Sequence, residues 1–127
     1  MMVYILLISA GASAGAVLRF SLSSWFTSTL GQSFPYGTLF VNLSGSMAIG
    51  ALFVFMAGKP LFEEIWKPLL FIGLLGGFTT FSAFAIETLR LIENGNLLLA
   101  MANILGNVFL CVSACWVGCQ GAKIFID

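Results

Sequence analysis

Long runs without a charged residue constrain this chain more than any other feature of its sequence. The four longest are 1–18, 20–58, 68–86 and 94–122. A helix needs roughly 20 apolar residues to cross a bilayer, and the second run can hold most of two such helices with a turn between them. The turn is expected at 27–36, which contains Gly, Pro, Ser and Thr, residues that end helices and close loops. We predict an all-α membrane protein, one domain over 1–127, with transmembrane helices near 3–26, 37–57, 67–91 and 96–121.

The composition agrees with lipid as the solvent. Apolar residues make up 60% of the chain and charged residues 8%, and the mean hydropathy is +1.07. Five basic residues balance five acidic ones, and no basic block could neutralise a nucleic-acid backbone. The apolar N-terminus precedes Ala12-Ser13-Ala14 but lacks the positive start of a signal peptide, so we predict that it is the first span.

The basic residues give almost no preference for one orientation in the membrane. With four spans, Lys59, Lys67 and Lys123 lie on one side, and Arg19 and Arg90 lie toward the other. The sequence has no evident internal repeat. A symmetric pathway therefore requires a second copy of the chain, which can be inverted relative to the first.

Several polar residues of the first two spans are unusual in a lipid-facing helix. Gly11 and Gly15 form a small-xxx-small pair that lets another helix approach closely. Arg19 either reaches the interface from the end of its span or attracts anions into a vestibule. Asn42 either bonds to a neighbouring helix or faces a wet pathway, because its amide donors need partners in hydrocarbon.

The third span carries the densest cluster. The adjacent Gly76 and Gly77 predict a helix broken near the midplane of the membrane, where freed carbonyls must bind protein, water or an ion. Thr79, Thr80 and Ser82 add hydroxyls next to this pair. Phe78, Phe81 and Phe84 recur at i, i+3 and i+6, which predicts one slowly drifting helical face. The rings are either core or lipid contacts, or they present their positive edges to a small anion.

Two patterns follow nearer the C-terminus. Glu87 and Arg90 are spaced for an i, i+3 ion pair at the membrane interface. On the fourth span a polar and thiol stripe recurs every four residues, comprising Asn103, Asn107, Cys111, Cys115 and Cys119. We expect Asn107, Cys111 and Cys115 to share one face, with the thiols either packing as small apolar groups or lining a pathway.

Three of these clusters, in this order, resemble the Fluc family of small fluoride channels, also called CrcB proteins. The first span reads Gly11-x-x-x-Gly15-Ala16-x-x-Arg19-Phe20, and the second reads Pro35-x-Gly37-Thr38-Leu39-x-Val41-Asn42-x-x-Gly45. The third reads Gly73-x-x-Gly76-Gly77-x-Thr79-Thr80-Phe81-Ser82-x-Phe84, which is the most specific motif. The resemblance covers essentially the whole chain.

The resemblance implies an antiparallel, dual-topology homodimer with two pores that passively exports fluoride and lowers its toxicity. It places the protein in the inner (plasma) membrane of a bacterium, with fluoride, sodium and a second copy as partners. It implies a structural Na+ at the dimer centre, held by the backbone carbonyls of Gly76 and Thr79. The implied fluoride pathway comprises Asn42, Phe81, Phe84, Thr80 and Ser82, the vestibule Arg19, and Asn107, Cys111 and Cys115 on the fourth helix.

The chain departs from the family pattern at two places. Ala83 stands where relatives commonly have Thr, and Asn107, Cys111 and Cys115 stand where relatives have hydroxyl residues. Thiols are weaker donors than hydroxyls, so slower conduction is an open expectation.

Other functions fit the sequence less well. A small dual-topology multidrug transporter needs a titratable carboxylate deep in a span, whereas Glu87 lies toward a helix end. An enzyme would need a nucleophile with a base or an acidic pair within a span, so we expect none. A noncatalytic membrane accessory subunit explains the hydrophobicity but requires no helix break beside Thr-Thr-Phe-Ser.

Overall fold

The computed structural model describes residues 1–126, so residue 127 of the predicted domain lies outside the described residues. In this range the chain forms five helices, α1 (Met2–Leu30), α2 (Tyr36–Met56), α3 (62–78), α4 (Phe81–Glu93) and α5 (Leu97–Ile124). α3 joins Phe62–Leu75, which has a wide π-helical winding, to one α-helical turn at Gly76–Phe78. α5 contains a similar wide stretch at Gly106–Leu110.

For residues 1–126, the prediction of an all-helical chain with four segments suited to span a membrane is confirmed. α1, α2, the segment Phe62–Glu93 and α5 are each long and apolar enough to cross a membrane. The third segment begins at Phe62 rather than at 67, because Glu63 and Glu64 favour a helix N-terminus. Lys67 also binds Glu63 at 2.8 Å, one helical turn away.

Glycines bring the backbones of α1 and α3 into contact. A Cβ added at Gly11 would lie 2.8 Å from Leu74 N, and one added at Gly15 would lie 2.8 Å from Phe78 N. From α3, Gly73 and Gly77 fit against α1 in the same way. This contact therefore depends on the small-residue spacing noted in the sequence.

A second close contact joins α2 to the C-terminal part of α5. Added Cβ atoms at Gly50 and Gly118 would meet the carbonyl oxygens of Cys115 and Met47, respectively. Gly45 of α2 fits against the methyl group of Thr79. α2 therefore lies between α5 and the junction of α3 with α4.

Polar side chains are buried inside this bundle, while many large apolar side chains lie on its surface. The buried polar residues are Thr38, Thr80, Thr88 and Asn103, and Asn103 is 0% exposed. In hydrocarbon a polar group is stable only where another protein group or water binds it. The polar interior therefore indicates where to search for a site.

Candidate functional site

The path of the third segment changes at Thr79 and Thr80, which adopt extended backbone dihedrals. Thr79 has φ −84° and ψ 154°, and Thr80 has φ −152° and ψ 120°. Gly76, where the sequence suggested a weak point, is helical, with φ −63° and ψ −37°. The extended residues therefore lie just after the glycine pair.

Asn42 binds this extended backbone with its side-chain amide. Thr80 N–H donates to Asn42 Oδ1 at 2.7 Å, and Asn42 Nδ2 donates to the Thr80 carbonyl at 3.0 Å. The second amide hydrogen of Asn42 is directed to Asn107 Oδ1 at 2.8 Å. One side chain from α2 thus satisfies both backbone groups of a residue that is outside any helix.

These bonds redirect two amides that a continuous α-helix would use otherwise. In such a helix, Thr80 N–H would donate to the Gly76 carbonyl and Ala83 N–H would donate to the Thr79 carbonyl. Here Thr80 N–H donates to Asn42, and Ala83 N–H donates to Thr80 Oγ1 at 3.1 Å. Gly76 and Thr79 are the two residues whose carbonyls the family resemblance assigned to sodium. Both carbonyls thus lose their usual helical donor, and carbonyl oxygens suit a hard cation, so this donor set fits that ion.

A hydroxyl pair lies at the start of α4. Thr80 caps the helix, and its Oγ1 lies 3.2 Å from Ser82 Oγ. Only one of the two hydroxyl hydrogens can be used between them. The other hydrogen is available to an acceptor outside the pair.

A cavity of about 410 Å³ opens beside these residues. It is lined by Asn42, Gly45, Ser46, Ile49, Thr79, Thr80, Phe81, Phe84, Asn107, Val108, Cys111 and Val112. None of these residues carries a formal charge. The cavity brings together most of the predicted fluoride pathway from α2, α4 and α5.

Two phenylalanines form one wall of the cavity. The ring centroids of Phe81 and Phe84 lie 5.1 Å apart at an interplanar angle of 63°, an edge-to-face arrangement. Phe81 is 77% exposed, whereas Phe84 is 7% exposed. The predicted common face with Phe78 is wrong, because the extended Thr79 and Thr80 separate Phe78 from α4. Phe78 lies next to Gly45 instead.

Comparison with known proteins identifies the family. The family described as "CrcB-like protein, Camphor Resistance (CrcB)" matches residues 6–119. The chain belongs to the CrcB family.

Curated relatives of this CrcB-family chain carry the name fluoride-specific ion channel FluC. One from Coxiella burnetii (strain CbuK_Q154) is 44% identical over 115 residues, 90% of this chain and 93% of the relative. One from Magnetococcus marinus is 45% identical over 111 residues, 87% of this chain and 90% of the relative. One from Rhodospirillum rubrum is 40% identical over 121 residues, 94% of each chain. Together with the four apolar segments, these relatives indicate a multi-pass membrane protein.

Four predicted site residues of this CrcB-family chain lie outside the cavity lining. Ser82 is exposed, and its hydroxyl contacts that of Thr80, which does line the cavity. Arg19 is half-buried and, within residues 1–126, forms no salt bridge. Cys115 packs its carbonyl against Gly50 of α2. Gly76 is exposed, and an added Cβ there would meet no atom within 4 Å.

Within residues 1–126, the predicted ion pair between Glu87 and Arg90 does not form, and the bonded partner of Glu87 comes from α2. Thr38 donates to Glu87 Oε1 at 2.7 Å. The described part of the chain offers Glu87 Oε2 no hydrogen-bond partner, although this atom is buried. Glu87 and Arg90 both line a second cavity, of about 370 Å³, at the end of α4.

Two buried polar residues were not among the predicted site residues. The sequence pattern places Asn103 in the fourth-span stripe but outside its expected common face, and it gives no indication for Thr88. Asn103 Nδ2 donates to Thr88 Oγ1 at 2.9 Å, and Asn107 Nδ2 donates to Asn103 Oδ1 at 3.0 Å. The Asn-x-x-x-Asn spacing was the available signal, since residues four apart are neighbours on a helix.

Proposed function

We propose that this chain is a fluoride-specific ion channel that passively exports fluoride and so lowers its toxicity in the cytoplasm. The observation that carries the proposal is the cavity between α2, α4 and α5. It combines amide, hydroxyl and phenylalanine groups without a charged residue. The names of the curated relatives support the same function.

The cavity groups are suited to passing a small anion without retaining it. Conduction requires binding that is favourable enough for entry and weak enough for exit. Ring edges carry partial positive charge, so Phe81 and Phe84 stabilise fluoride without a full charge that would hold it. The free hydrogen of the Thr80 and Ser82 hydroxyl pair is a donor, whereas both amide hydrogens of Asn42 are already bound. Asn42 therefore contributes chiefly by holding the Thr80 backbone in place. It becomes a donor to fluoride only when fluoride displaces one of the acceptors of the Asn42 side-chain amide.

The functional unit in this proposal is an antiparallel, dual-topology homodimer in a bacterial inner membrane. The small Lys/Arg imbalance, three residues on one side against two toward the other, supports it. The exposed Gly76 and Phe81 offer a surface for the second copy. Tagging the C-terminus should label both membrane faces in comparable amounts. Labelling of one face alone would reject dual topology.

A structural Na+ at the dimer centre completes the proposal, with the broken third helix near the membrane midplane. The carbonyls of Gly76 and Thr79 would hold the ion, and its charge would join the two copies at the helix break. The redirected amides of Thr80 and Ala83 support this assignment. Because such an ion binds the dimer and not the separated chains, replacing sodium with a large organic cation should weaken the dimer. An unchanged dimer after complete sodium removal would contradict the site.

A liposome assay tests the function. The purified chain should release trapped fluoride and leave chloride inside under the same gradient. Equal release of both ions, or release of neither, would reject a fluoride-specific channel. Release of a hydrophobic cation driven by a proton gradient would instead favour a multidrug-type transporter.

A further inference from the structure

Asn103 is completely buried and lies behind the cavity rather than in its lining. It is bound from both sides. Its Nδ2 donates to Thr88 Oγ1 on α4, while its Oδ1 and its carbonyl each accept from Asn107 Nδ2 at 3.0 Å. A buried amide with this many partners has little freedom to rotate.

The hydrogen bonds of Asn103 belong to a series in which each side chain donates to the next. Asn42 donates to Asn107, Asn107 donates to Asn103, Asn103 donates to Thr88, and Thr88 donates to the Phe84 carbonyl at 2.7 Å. Thr80 at one end and Phe84 at the other belong to neighbouring turns of the same segment. This series of hydrogen bonds therefore runs from the start of α4 through α2 and α5 and back to α4.

Backbone groups at both ends fix this direction. Thr80 N–H can only donate, so Asn42 must present Oδ1 to it and Nδ2 to the Thr80 carbonyl. At the other end, the Phe84 carbonyl takes the Thr88 hydrogen, so Thr88 Oγ1 can only accept from Asn103. Rotating any amide by 180° would oppose two donors or two acceptors.

From this series of hydrogen bonds we infer that Asn103 and Thr88 are positioning residues for conduction, although neither lines the cavity. Asn103 holds the Asn107 amide with its oxygen toward Asn42, and Asn107 in turn holds Asn42 on the Thr80 backbone. The conduction part of this inference rests on the proposed function, whereas the positioning part does not.

The first test removes the Thr88 hydroxyl while largely keeping the side-chain volume. Thr88→Val removes the acceptor for Asn103, whereas Thr88→Ser keeps it. Amide hydrogen exchange at Thr80 in detergent micelles should quicken about tenfold in Thr88→Val, as expected for loss of a buried hydrogen bond. Exchange in Thr88→Ser should match the native chain. The more disruptive Asn103→Leu should quicken it at least as much.

Ser21→Ala is the matched control, because Ser21 also donates to a carbonyl four residues earlier, at 2.9 Å, but is exposed on α1. It should change neither exchange at Thr80 nor fluoride flux. The Leu89 amide within α4 should keep its native exchange rate in all four variants, which separates positioning of Thr80 from general loosening of the helix.

Flux supplies the second readout. Thr88→Val should reduce fluoride release from liposomes about tenfold per folded protein, whereas Thr88→Ser should release fluoride at the native rate. Native exchange at Thr80 in Thr88→Val and Asn103→Leu would overturn the positioning role, whatever the flux. Faster exchange with native flux would overturn the link to conduction. If the native chain releases no fluoride, the proposed function fails, but the exchange result still decides the positioning role.

Discussion

The two halves of the third segment are held by opposite means. α3 packs on α1 through glycines whose missing side chains bring the backbones together. α4 is held by side-chain hydrogen bonds from Asn42, Thr38 and Asn103 on α2 and α5. Shape fixes the first half and polarity fixes the second. A substitution in the first half should therefore act on folding, and one in the second half should act on the pathway.

The largest effect is expected where shape alone decides. In Gly15→Leu, the Cβ would lie 2.8 Å from Phe78 N and would also meet the Leu74 carbonyl, and backbone cannot move aside as a side chain can. We expect a loss of about 3 kcal/mol of stability, seen as failure to recover folded protein from membranes.

Gly121→Ala is its control, because a Cβ at Gly121 meets no atom within 4 Å. Folded yield should stay native there. A native yield of Gly15→Leu as well would show that the contact of α1 with α3 is looser than described, and the contrast between the two halves would be lost.

The same contrast explains what the sequence could predict. Charge-free runs of sufficient length depend on local composition, so the four spanning segments were predicted correctly. The location of the extended backbone depends on Asn42, which is 38 residues from Thr80 in sequence. Glu87 bonds to Thr38, which is 49 residues away in sequence, and the i, i+3 spacing of Glu87 and Arg90 gives no sign of that partner. The roles of the cavity residues and of sodium stay predictions.

An intermediate effect is expected at the phenylalanine wall. Phe81→Ile and Phe84→Ile keep much of the apolar bulk but remove the positive ring edge. Each should reduce fluoride flux at least about tenfold, which corresponds to losing about 1.4 kcal/mol of stabilisation along the path, while the folded yield stays near native. Fluoride release from liposomes measures the effect per folded protein.

Phe109→Ile is the matched control for this wall, because Phe109 is 63% exposed on α5 and does not line the cavity. Its flux should be native. Near-native flux in both wall variants would mean that Phe81 and Phe84 serve only as packing, and that the polar groups of the cavity carry fluoride without them.

The smallest effect on conduction, and the sharpest distinction between neighbouring residues, is expected at the thiols of α5. The family resemblance implied that Cys111 and Cys115 share a pathway, but of these two only Cys111 lines the cavity. Cys115 packs by its carbonyl against Gly50, and Cys119 donates to the Gly50 carbonyl at 3.2 Å.

A small water-soluble thiol reagent should therefore block fluoride flux by reacting with Cys111 alone, because a thiol must be accessible to react. Cys111→Ser should abolish the block and keep or raise conduction, since the hydroxyl is the stronger donor. Cys115→Ser and Cys119→Ser should remain as sensitive to the reagent as the native chain. If mass spectrometry finds Cys111 modified while flux is unchanged, fluoride does not cross the cavity beside α5. The hydrogen bonds that hold α4 would then stabilise the fold without forming the fluoride path.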